Sequence, residues 1–370
     1  MLLALVLLTG CWDRVEVEDQ AYVISMGIDK GVRERLQVTV RVAEPSQQRR
    51  PPGTGLSARL LTAEGDTVLQ AIYVMNGGMG RRLDLRHLRA LVWGESLARD
   101  GLEPVIMELE RNPFIRSTML VAQARGRAMD VLQADAPTIE TDPSKLAEDY
   151  LLQGKYSHLA PPVRFQHFLM RLAAPGGDPY LPVLAINPDV DIKPVGLDGS
   201  ENAIGDPRGV TSHSALPGEL PRNGGNPVEL IGTAIFQGDK LQGFLTIDET
   251  QMLLALRGEM GKTYLSFADP DRPAEKVMIR LHQENRPNWK ALYRQGQPQL
   301  VGRLLFEAEL LAAPSGVDYV PPAARKRLEV AADEYVNRTM QQLLTRLKRW
   351  RADPAGLGLL FRGRFATWEE

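Results

Sequence analysis

A stretch dense in proline, glycine, asparagine and aspartate, residues 187–227, separates two patterned regions of this 370-residue chain. Such a composition buries little apolar surface and carries no helical or strand periodicity. At about 40 residues, the stretch is too long for an ordinary loop inside a compact domain. We therefore predict a flexible linker or insertion over 187–228.

The region before this stretch alternates strand-like and helix-like patterns, which is typical of an α/β or α+β fold. We predict an N-terminal α/β domain over 12–186, with residues 44–57 as a proline- and glycine-containing loop. Helices are expected to begin at Asp66 and Ser96 as N-caps. Two further helices are predicted at 126–133 and 143–153, and strands at 21–30, 36–42, 88–94, 118–123 and 182–186.

The region after the stretch begins with a hairpin, 229–245, and a helix capped by Asp248, which we assign to a middle domain over 229–270. A C-terminal domain over 271–370 follows, with strands at 276–283, 289–293 and 300–311 and a helix from Pro321 to Trp350. The apolar stripe of that helix favours packing on the C-terminal sheet, while a partner-facing or coiled-coil seam stays open. The predicted fold class is α+β, with three mixed α/β domains in a row and a C-terminal antiparallel sheet packed with a long helix.

Charge and hydropathy exclude two classes of function. The chain has 44 basic and 46 acidic residues and a formal net charge of −2, so nothing steers it toward nucleic acid. No apolar run approaches the roughly 20 residues that a membrane-spanning helix needs. We expect a globular protein with a sizeable core of its own.

The first eleven residues predict a lipid anchor. Leu2 to Leu8 has the length of the apolar region of a secretory signal, and Leu8-Thr9-Gly10-Cys11 matches a bacterial lipobox. Residues 1–10 would be removed, and the Cys11 thiol would carry diacylglycerol and a fatty acyl chain such as palmitate, which together anchor stably. The alternative is a buried free cysteine. Because Cys11 is the only cysteine, it can form no internal disulfide.

No motif for catalysis or cofactor binding is convincing. Gly261-Lys262-Thr263 lacks the earlier glycine of a phosphate-binding loop and follows a helix. Ser96 has the setting of a nucleophile elbow, but Ala98 replaces the final glycine, so a helix N-cap is the better interpretation. The five histidines are scattered, and the carboxylates occur as surface-like singletons, with Asp248 and Glu249 explained by a helix dipole. We predict no enzyme, no metal and no cofactor.

A series of short motifs in fixed order resembles the Ger(x)C family, the lipoprotein C subunits of bacterial spore germinant receptors. The resemblance covers nearly the whole chain after residue 10, and the order of the pieces makes it specific. In chain order the motifs are Gly10 to Arg14, Glu18-Asp19, Ile24 to Lys30, Arg81 to Glu95, Arg111 to Arg116, Gly232 to Leu241, Glu249-Thr250, and Ala352 to Gly358. Two departures are local: the 187–227 stretch is longer than the family's, and Pro354-Ala355 replace an apolar pair.

The resemblance implies a protein without known catalysis that assembles with two membrane-embedded partners, the A-type and B-type receptor subunits. Germinant recognition would belong mostly to the membrane partner, and the chain would sit on the outer face of the inner spore membrane. Two other functions stay open from the residues alone. One is a substrate-binding lipoprotein of a transporter, and the other is a surface ester hydrolase using Ser96.

Overall fold

The computed structural model describes residues 16, 19–43, 58–135, 159–174, 176–190, 214–222, 224–295 and 297–364. Cys11, the predicted loop at 44–57, the predicted helix at 143–153 and much of the 187–228 stretch lie outside the described residues.

A nine-stranded sheet forms the larger part of the structure. Along the sheet the order is β3-β2-β1-β5-β6-β7-β8-β9, and β4 pairs with the first residues of β1. The strands are β1 (Gln20–Lys30), β2 (Leu36–Ala43), β3 (Ala58–Gly65), β4 (Arg82–Asp84), β5 (Ala90–Trp93), β6 (Leu120–Arg125), β7 (Tyr180–Ile186), β8 (Val228–Gln237) and β9 (Lys240–Leu245).

The centre of this sheet is parallel and its two flanks are antiparallel. β1, β5, β6 and β7 run parallel, while β2–β3 and β8–β9 form antiparallel hairpins on the two sides. Parallel strands need helical crossovers that cover both faces, which explains why β1 and β5 are almost continuously buried. The strand–helix alternation predicted from the sequence is confirmed here.

Among the described residues, the helices of these crossovers are α1 (Val68–Asn76), α2 (Glu95–Asp100), α3 (Glu103–Arg111), α4 (Ala128–Ala134) and α5 (Phe165–Ala173). Both N-caps predicted for these helices are wrong. Thr67, not Asp66, caps α1, since its side chain accepts the Gln70 N–H. Gly94 is the N-cap of α2, which leaves Ser96 exposed within the helix.

The C-terminal region contains a second, smaller sheet and a helix of 29 residues. β10, β11 and β14 form a three-stranded antiparallel sheet, and β12 and β13 form a separate hairpin between β11 and β14. The predicted strand at 300–311 is therefore two strands. The elements are α6 (Ile247–Arg257), β10 (Thr263–Ala268), β11 (Lys276–Gln283), β12 (Asn288–Arg294), β13 (Gln297–Arg303), β14 (Phe306–Ala312) and α7 (Pro322–Trp350).

The hairpin at 229–245 is not separate from the N-terminal region. β8 pairs with β7, so both of its strands continue the nine-stranded sheet. The physical reason is that β7 would otherwise be an exposed edge, which a following hairpin covers. The hairpin that the sequence assigns to a middle domain thus pairs with a strand of the predicted N-terminal domain, and the domain boundaries stay a prediction.

The long helix α7 packs against both parts of the protein. Near its start, Ala324 and Leu328 join the apolar cluster of the small sheet, which includes Leu265 and Ile279. Near its end, Leu343 and Leu347 join the core of the nine-stranded sheet. The fold class predicted from the sequence, α+β with a C-terminal antiparallel sheet and a long helix, is confirmed. Within the described ranges, no helix has both the length and the apolar character needed to cross a bilayer.

Candidate functional site

The carboxyl ends of the parallel strands are where α/β sheets commonly bind ligands. In this protein the Asp29 side chain, only 3% exposed, occupies that position at the end of β1. Its two oxygens accept the N–H groups of Ala128 (2.7 Å) and Met129 (2.9 Å), the first residues of α4. The carboxylate thus serves as the cap of a helix nearly 100 positions later in the chain.

Two glycines make room for this arrangement. A Cβ atom on Gly94 would lie 2.0 Å from the Asp29 Oδ1 atom. A Cβ atom on Gly27 would meet the Ala128 Cβ at 3.0 Å, so α4 approaches β1 closely only because Gly27 has no side chain. The Gly-Ile-Asp motif of β1 and the Trp-Gly-Glu motif of β5 are therefore parts of one packing arrangement.

Burial raises the pKa of Asp29 above its usual range, although the two backbone N–H groups and the nearby Arg127 act in the opposite direction. No second carboxylate or histidine hydrogen-bonds to Asp29 among the described residues.

Two carboxylates connect the β8–β9 turn to its neighbours, one within the turn and one outside it. Asp239 in the turn accepts the Glu103 N–H at the start of α3 through its side chain (3.0 Å). The turn's Gly238 N–H donates to the Asp178 Oδ1 atom before β7 (2.9 Å). The Gly-Asp-Lys motif of this turn therefore joins α3, β7 and β8.

Asp178 also binds the segment that follows the long helix. Its Oδ2 atom accepts the Asp353 N–H (2.6 Å), and its own N–H donates to the Asp353 carbonyl (3.0 Å). Asp353 in turn accepts the Gly358 N–H (2.6 Å). The turn predicted from Ala352 to Gly358 is thus docked on the amino end of β7.

An open cleft of about 400 Å³ lies at this junction. Its two carboxylates, Asp178 and Asp353, already accept backbone N–H groups, so they act as structural anchors. The cleft is lined by Arg171, Leu172, Ala174, Gly176, Gly177, Asp178, Pro179, Gly238, Asp353 and Gly358.

Pro354, one of the two departures from the family motif, is accommodated beside the cleft. Its carbonyl accepts hydrogen bonds from Arg171 (3.2 Å) and Arg257 (3.0 Å). These two guanidinium groups lie over the Tyr180 ring, at 4.5 and 5.1 Å from its centroid. Burial raises the pKa of Tyr180 and lowers that of Arg171, although each group offsets part of the effect on the other.

Helix α6 joins the two sheets and is buried on all sides, from Ile247 to Leu256. Its cap is Thr246, not Asp248, and Thr246 and Glu249 form a reciprocal capping box. Thr250 hydrogen-bonds with Thr233 of β8 (2.9 Å), which links the Gly-Thr-Ala and Glu-Thr motifs.

The acidic side chains at the start of α6 are bound by α7. The Tyr335 hydroxyl donates to Asp248, and burial together with that carboxylate raises the pKa of Tyr335. Arg346 pairs with Glu249 at 2.9 Å. Asp248 and Glu249 lie in the first turn of α6, as predicted, but they are 6% and 4% exposed, so the expectation that they are surface-like is wrong for both. The sequence of α6 did not indicate that these two acids are buried. A helix that is buried on every face has no polar face to distinguish from an apolar one.

The residues singled out for chemistry are not brought together. Ser96 is exposed in α2, and no histidine in the described part of the chain hydrogen-bonds to it. Gly261-Lys262-Thr263 leads from a helix into β10, the reverse of a strand–loop–helix phosphate site. Within the described ranges, no three metal-binding side chains are grouped. Cys11 lies outside the described residues.

Comparison with known proteins identifies relatives along nearly the full chain. A family model described as "Spore germination protein N-terminal domain" matches residues 13–186. A second, "Spore germination B3/ GerAC like, C-terminal", matches residues 231–370.

Two relatives from Bacillus subtilis (strain 168) are similar over most of their length. The chain is 25% identical to the putative spore germination protein YfkR over 361 residues, covering 96% of this chain and 84% of that protein. It is 22% identical to spore germination protein KC over 382 aligned positions, covering 100% of this chain and 88% of that protein. The crystal structure of the GerBC protein aligns with a TM-score of 0.47 and 16% identity, covering 93% of this chain and 88% of that one. The matches at 13–186 and 231–370 show that the chain belongs to the GerAC-like family of spore germination proteins.

Proposed function

We propose that this chain is a membrane-anchored lipoprotein subunit of a spore germinant receptor, required for nutrient-triggered germination. The observation that supports this most is the match of both family models, in order, to residues 13–186 and 231–370. It would act by assembly with the membrane-embedded A-type and B-type subunits, on the outer face of the inner spore membrane. A lipid tether raises the effective concentration at such partners, so a weak interface is sufficient.

The anchor in this proposal is Cys11, nine positions before the first residue of β1. Two acyl chains on one cysteine hold a protein stably at a bilayer. Among the described residues no helix offers an alternative way across the membrane. The lipid on Cys11 therefore supplies the attachment in this proposal.

A structural rather than catalytic role agrees with how the carboxylates of the site are used. Asp29, Asp178 and Asp239 accept backbone N–H groups from other elements, and Asp353 accepts the Gly358 N–H within its own turn. Such groups join secondary-structure elements and are not free for acid–base chemistry. We propose that the protein contributes surfaces to the receptor and performs no reaction.

The test is the substitution Cys11→Ala, with Ser96→Ala as the matched control. The protein should move from the membrane fraction to the soluble fraction, lose the mass of the lipid, and slow germination. Ser96→Ala should change none of these, because Ser96 is exposed and outside any assembled site. Normal membrane fractionation of Cys11→Ala would contradict the anchor, and failure of the A-type and B-type subunits to co-purify with the wild-type chain would contradict the assembly.

A further inference from the structure

The amino ends of the parallel strands form one rim of the nine-stranded sheet. The chain enters β1 at Gln20, and Arg82, the first residue of β4, is the parallel partner of Gln20. The turn after α3 leads into β6, whose Leu120 N–H donates to the Arg89 carbonyl just before β5 (2.8 Å). We call the end of α1, the connection to β4 and the turn before β6 the amino-end rim (Tyr73–Arg82 and Arg111–Thr118).

Large apolar side chains on this rim are exposed to solvent. In the last turn of α1, Tyr73 is 79% exposed and Val74 52%, and in the turn after α3, Phe114 is 56% exposed. The Asn76 side chain accepts the Leu83 N–H (2.9 Å), which holds the end of α1 against β4. Tyr73 and Val74 therefore lie within a few strand spacings of the point where the chain enters β1.

Four arginines lie in the same two rim segments as these apolar side chains. Arg81, Arg82, Arg111 and Arg116 are all exposed. Exposed acids also occur at this end of the sheet: Glu16 and Asp19 precede β1, Glu110 ends α3, and Glu259 accepts a hydrogen bond from the hydroxyl of Tyr180 at the start of β7 (3.4 Å). Helix α1 itself contains no charged residue. Exposed aromatic and aliphatic side chains together with exposed arginines are features of surfaces that bind anionic lipid.

The position of Cys11 limits how far this rim can be from a bilayer. Cys11 precedes Gln20 by nine residues, and nine residues span at most about 30 Å when fully extended. A chain anchored at Cys11 therefore keeps the amino-end rim closer to the lipid than the opposite end of the sheet.

We propose that the amino-end rim docks on the surface of an anionic bilayer, with Tyr73, Val74 and Phe114 at the level of the lipid headgroups and the four arginines on lipid phosphates. This inference rests on the proposed function, in which Cys11 carries the lipid. Docking of the rim fixes the orientation of the whole protein. The carboxyl ends of the parallel strands and the turn between β1 and β2 then face away from the membrane.

The opposite end of the sheet provides matched controls. Val32, in the turn between β1 and β2, is 88% exposed and is flanked by the exposed Arg33 and Arg35. On the rim, Gly80 is exposed, and a Cβ atom there would meet no atom within 4 Å. Cysteine can therefore replace Gly80 or Val32 without disturbing the packing.

The experiment measures which end of the sheet touches lipid. The chain from Trp12 onward, with six histidines in place of Cys11, is held on vesicles through a nickel-chelating lipid; no described residue is removed. An environment-sensitive fluorophore is attached at Gly80→Cys or at Val32→Cys, and its quenching by aqueous iodide is recorded. On phosphatidylglycerol vesicles, quenching at position 80 should fall about threefold relative to phosphatidylcholine vesicles, and recover at high salt. Quenching at position 32 should be the same on both.

Neutralising the rim should abolish the difference. Arg81→Gln with Arg82→Gln should weaken docking roughly 30-fold, since each arginine near an anionic surface contributes about fivefold. Arg33→Gln with Arg35→Gln removes the same charge from the opposite end and should leave quenching at position 80 unchanged. Equal quenching at positions 80 and 32 on anionic vesicles would overturn the proposal. Because the histidines supply the tether, this outcome does not depend on whether Cys11 is lipidated. The mass of the native protein tests the lipidation separately.

Discussion

Each of the two sheets has a buried aspartate at or directly after the end of a strand, and the pKa values of the two aspartates shift in opposite directions. Asp29 in the nine-stranded sheet is 3% exposed, and Asp269, at the end of β10 in the small sheet, is 0% exposed. Both carboxylates accept backbone N–H groups. Burial raises the pKa of Asp29, whereas the pKa of Asp269 is below its usual range.

The difference lies in the number and type of hydrogen-bond donors. Asp29 accepts two backbone N–H groups. Asp269 accepts two as well, from Asp271 and Arg272, and in addition the hydroxyls of Ser315 and Tyr319, both at 2.5 Å. Burial works against the charged form of Asp269 too, but its four donors outweigh it.

The comparison shows that burial alone does not decide the charge state of a carboxylate. A buried aspartate with two donors prefers the neutral form more than it would in water, and one with four donors prefers the charged form. The two aspartates also differ in how far along the chain their hydrogen-bond donors lie. Asp29 caps a helix nearly 100 positions away, while Asp269 binds residues within 50 positions.

The largest effect is expected for a substitution that fills the space of the Asp29 carboxylate. Gly94→Ala would place a methyl group 2.0 Å from the Asp29 Oδ1 atom, which should lower the free energy of unfolding by about 3 kcal/mol. Gly80→Ala is the control, since nothing lies within 4 Å of its Cβ position. Urea denaturation measures both. A Gly94→Ala protein as stable as the Gly80→Ala protein would show that the cap on α4 contributes little.

The two aspartates should give pH profiles of opposite sign. The folded-state pKa of Asp29 is raised. Its carboxyl therefore adds most to the free energy of unfolding below the ordinary pKa near 3.8, and this stabilisation is lost as pH rises through the folded-state pKa. Because the folded-state pKa of Asp269 is lowered, its contribution is present above 3.8 and is lost as pH falls through the folded pKa.

Asp29→Asn and Asp269→Asn test this by denaturant unfolding from about pH 3 to about pH 6. Each should destabilise by about 2 kcal/mol near neutral pH, since a buried donor is left without its acceptor. As pH rises, the difference in free energy of unfolding between wild type and Asp29→Asn should shrink. The corresponding difference between wild type and Asp269→Asn should grow. Profiles of the same sign would break the comparison between the two sites.

A smaller effect is expected at the helix that connects the two sheets. Thr246→Ala removes the side-chain oxygen that accepts the Glu249 N–H in the capping box of α6, which should lower stability by about 1 kcal/mol. Thr246→Ser retains the hydroxyl and should restore most of the loss. If both variants lose equally, the packing of the threonine methyl, and not the cap, stabilises α6.

Several features of the fold follow from local pattern. The strand at 36–42, the hairpin at 229–245 and the long helix that starts at a proline all appear where the sequence predicts them. The caps were predicted less well, because Asp66 and Thr67, or Thr246 and Asp248, are equally good cap residues by type. Which one caps depends on where the first turn of helix packs.

The candidate site was the least predictable part. Asp178, Asp239 and Asp353 are far apart in sequence, and each occurs beside a glycine or in a turn, which is ordinary for a loop. Only the pairing of β7 with β8 brings them to one junction. The boundary between the two family models, between 186 and 231, also passes through the nine-stranded sheet, since β7 precedes it and the end of β8 follows it.

Sequence by itself determined the fold class, the order of most elements and the family, because periodicity, turn residues and short motifs are local properties of the chain. The tertiary structure decided which strands share a sheet, that α6 is buried on every side, and that the motif carboxylates serve as caps. These depend on contacts between residues distant in sequence. A buried aspartate and a surface aspartate look the same in a sequence, and only the burial and the packed donors of Asp29 and Asp269 set the direction in which each pKa shifts.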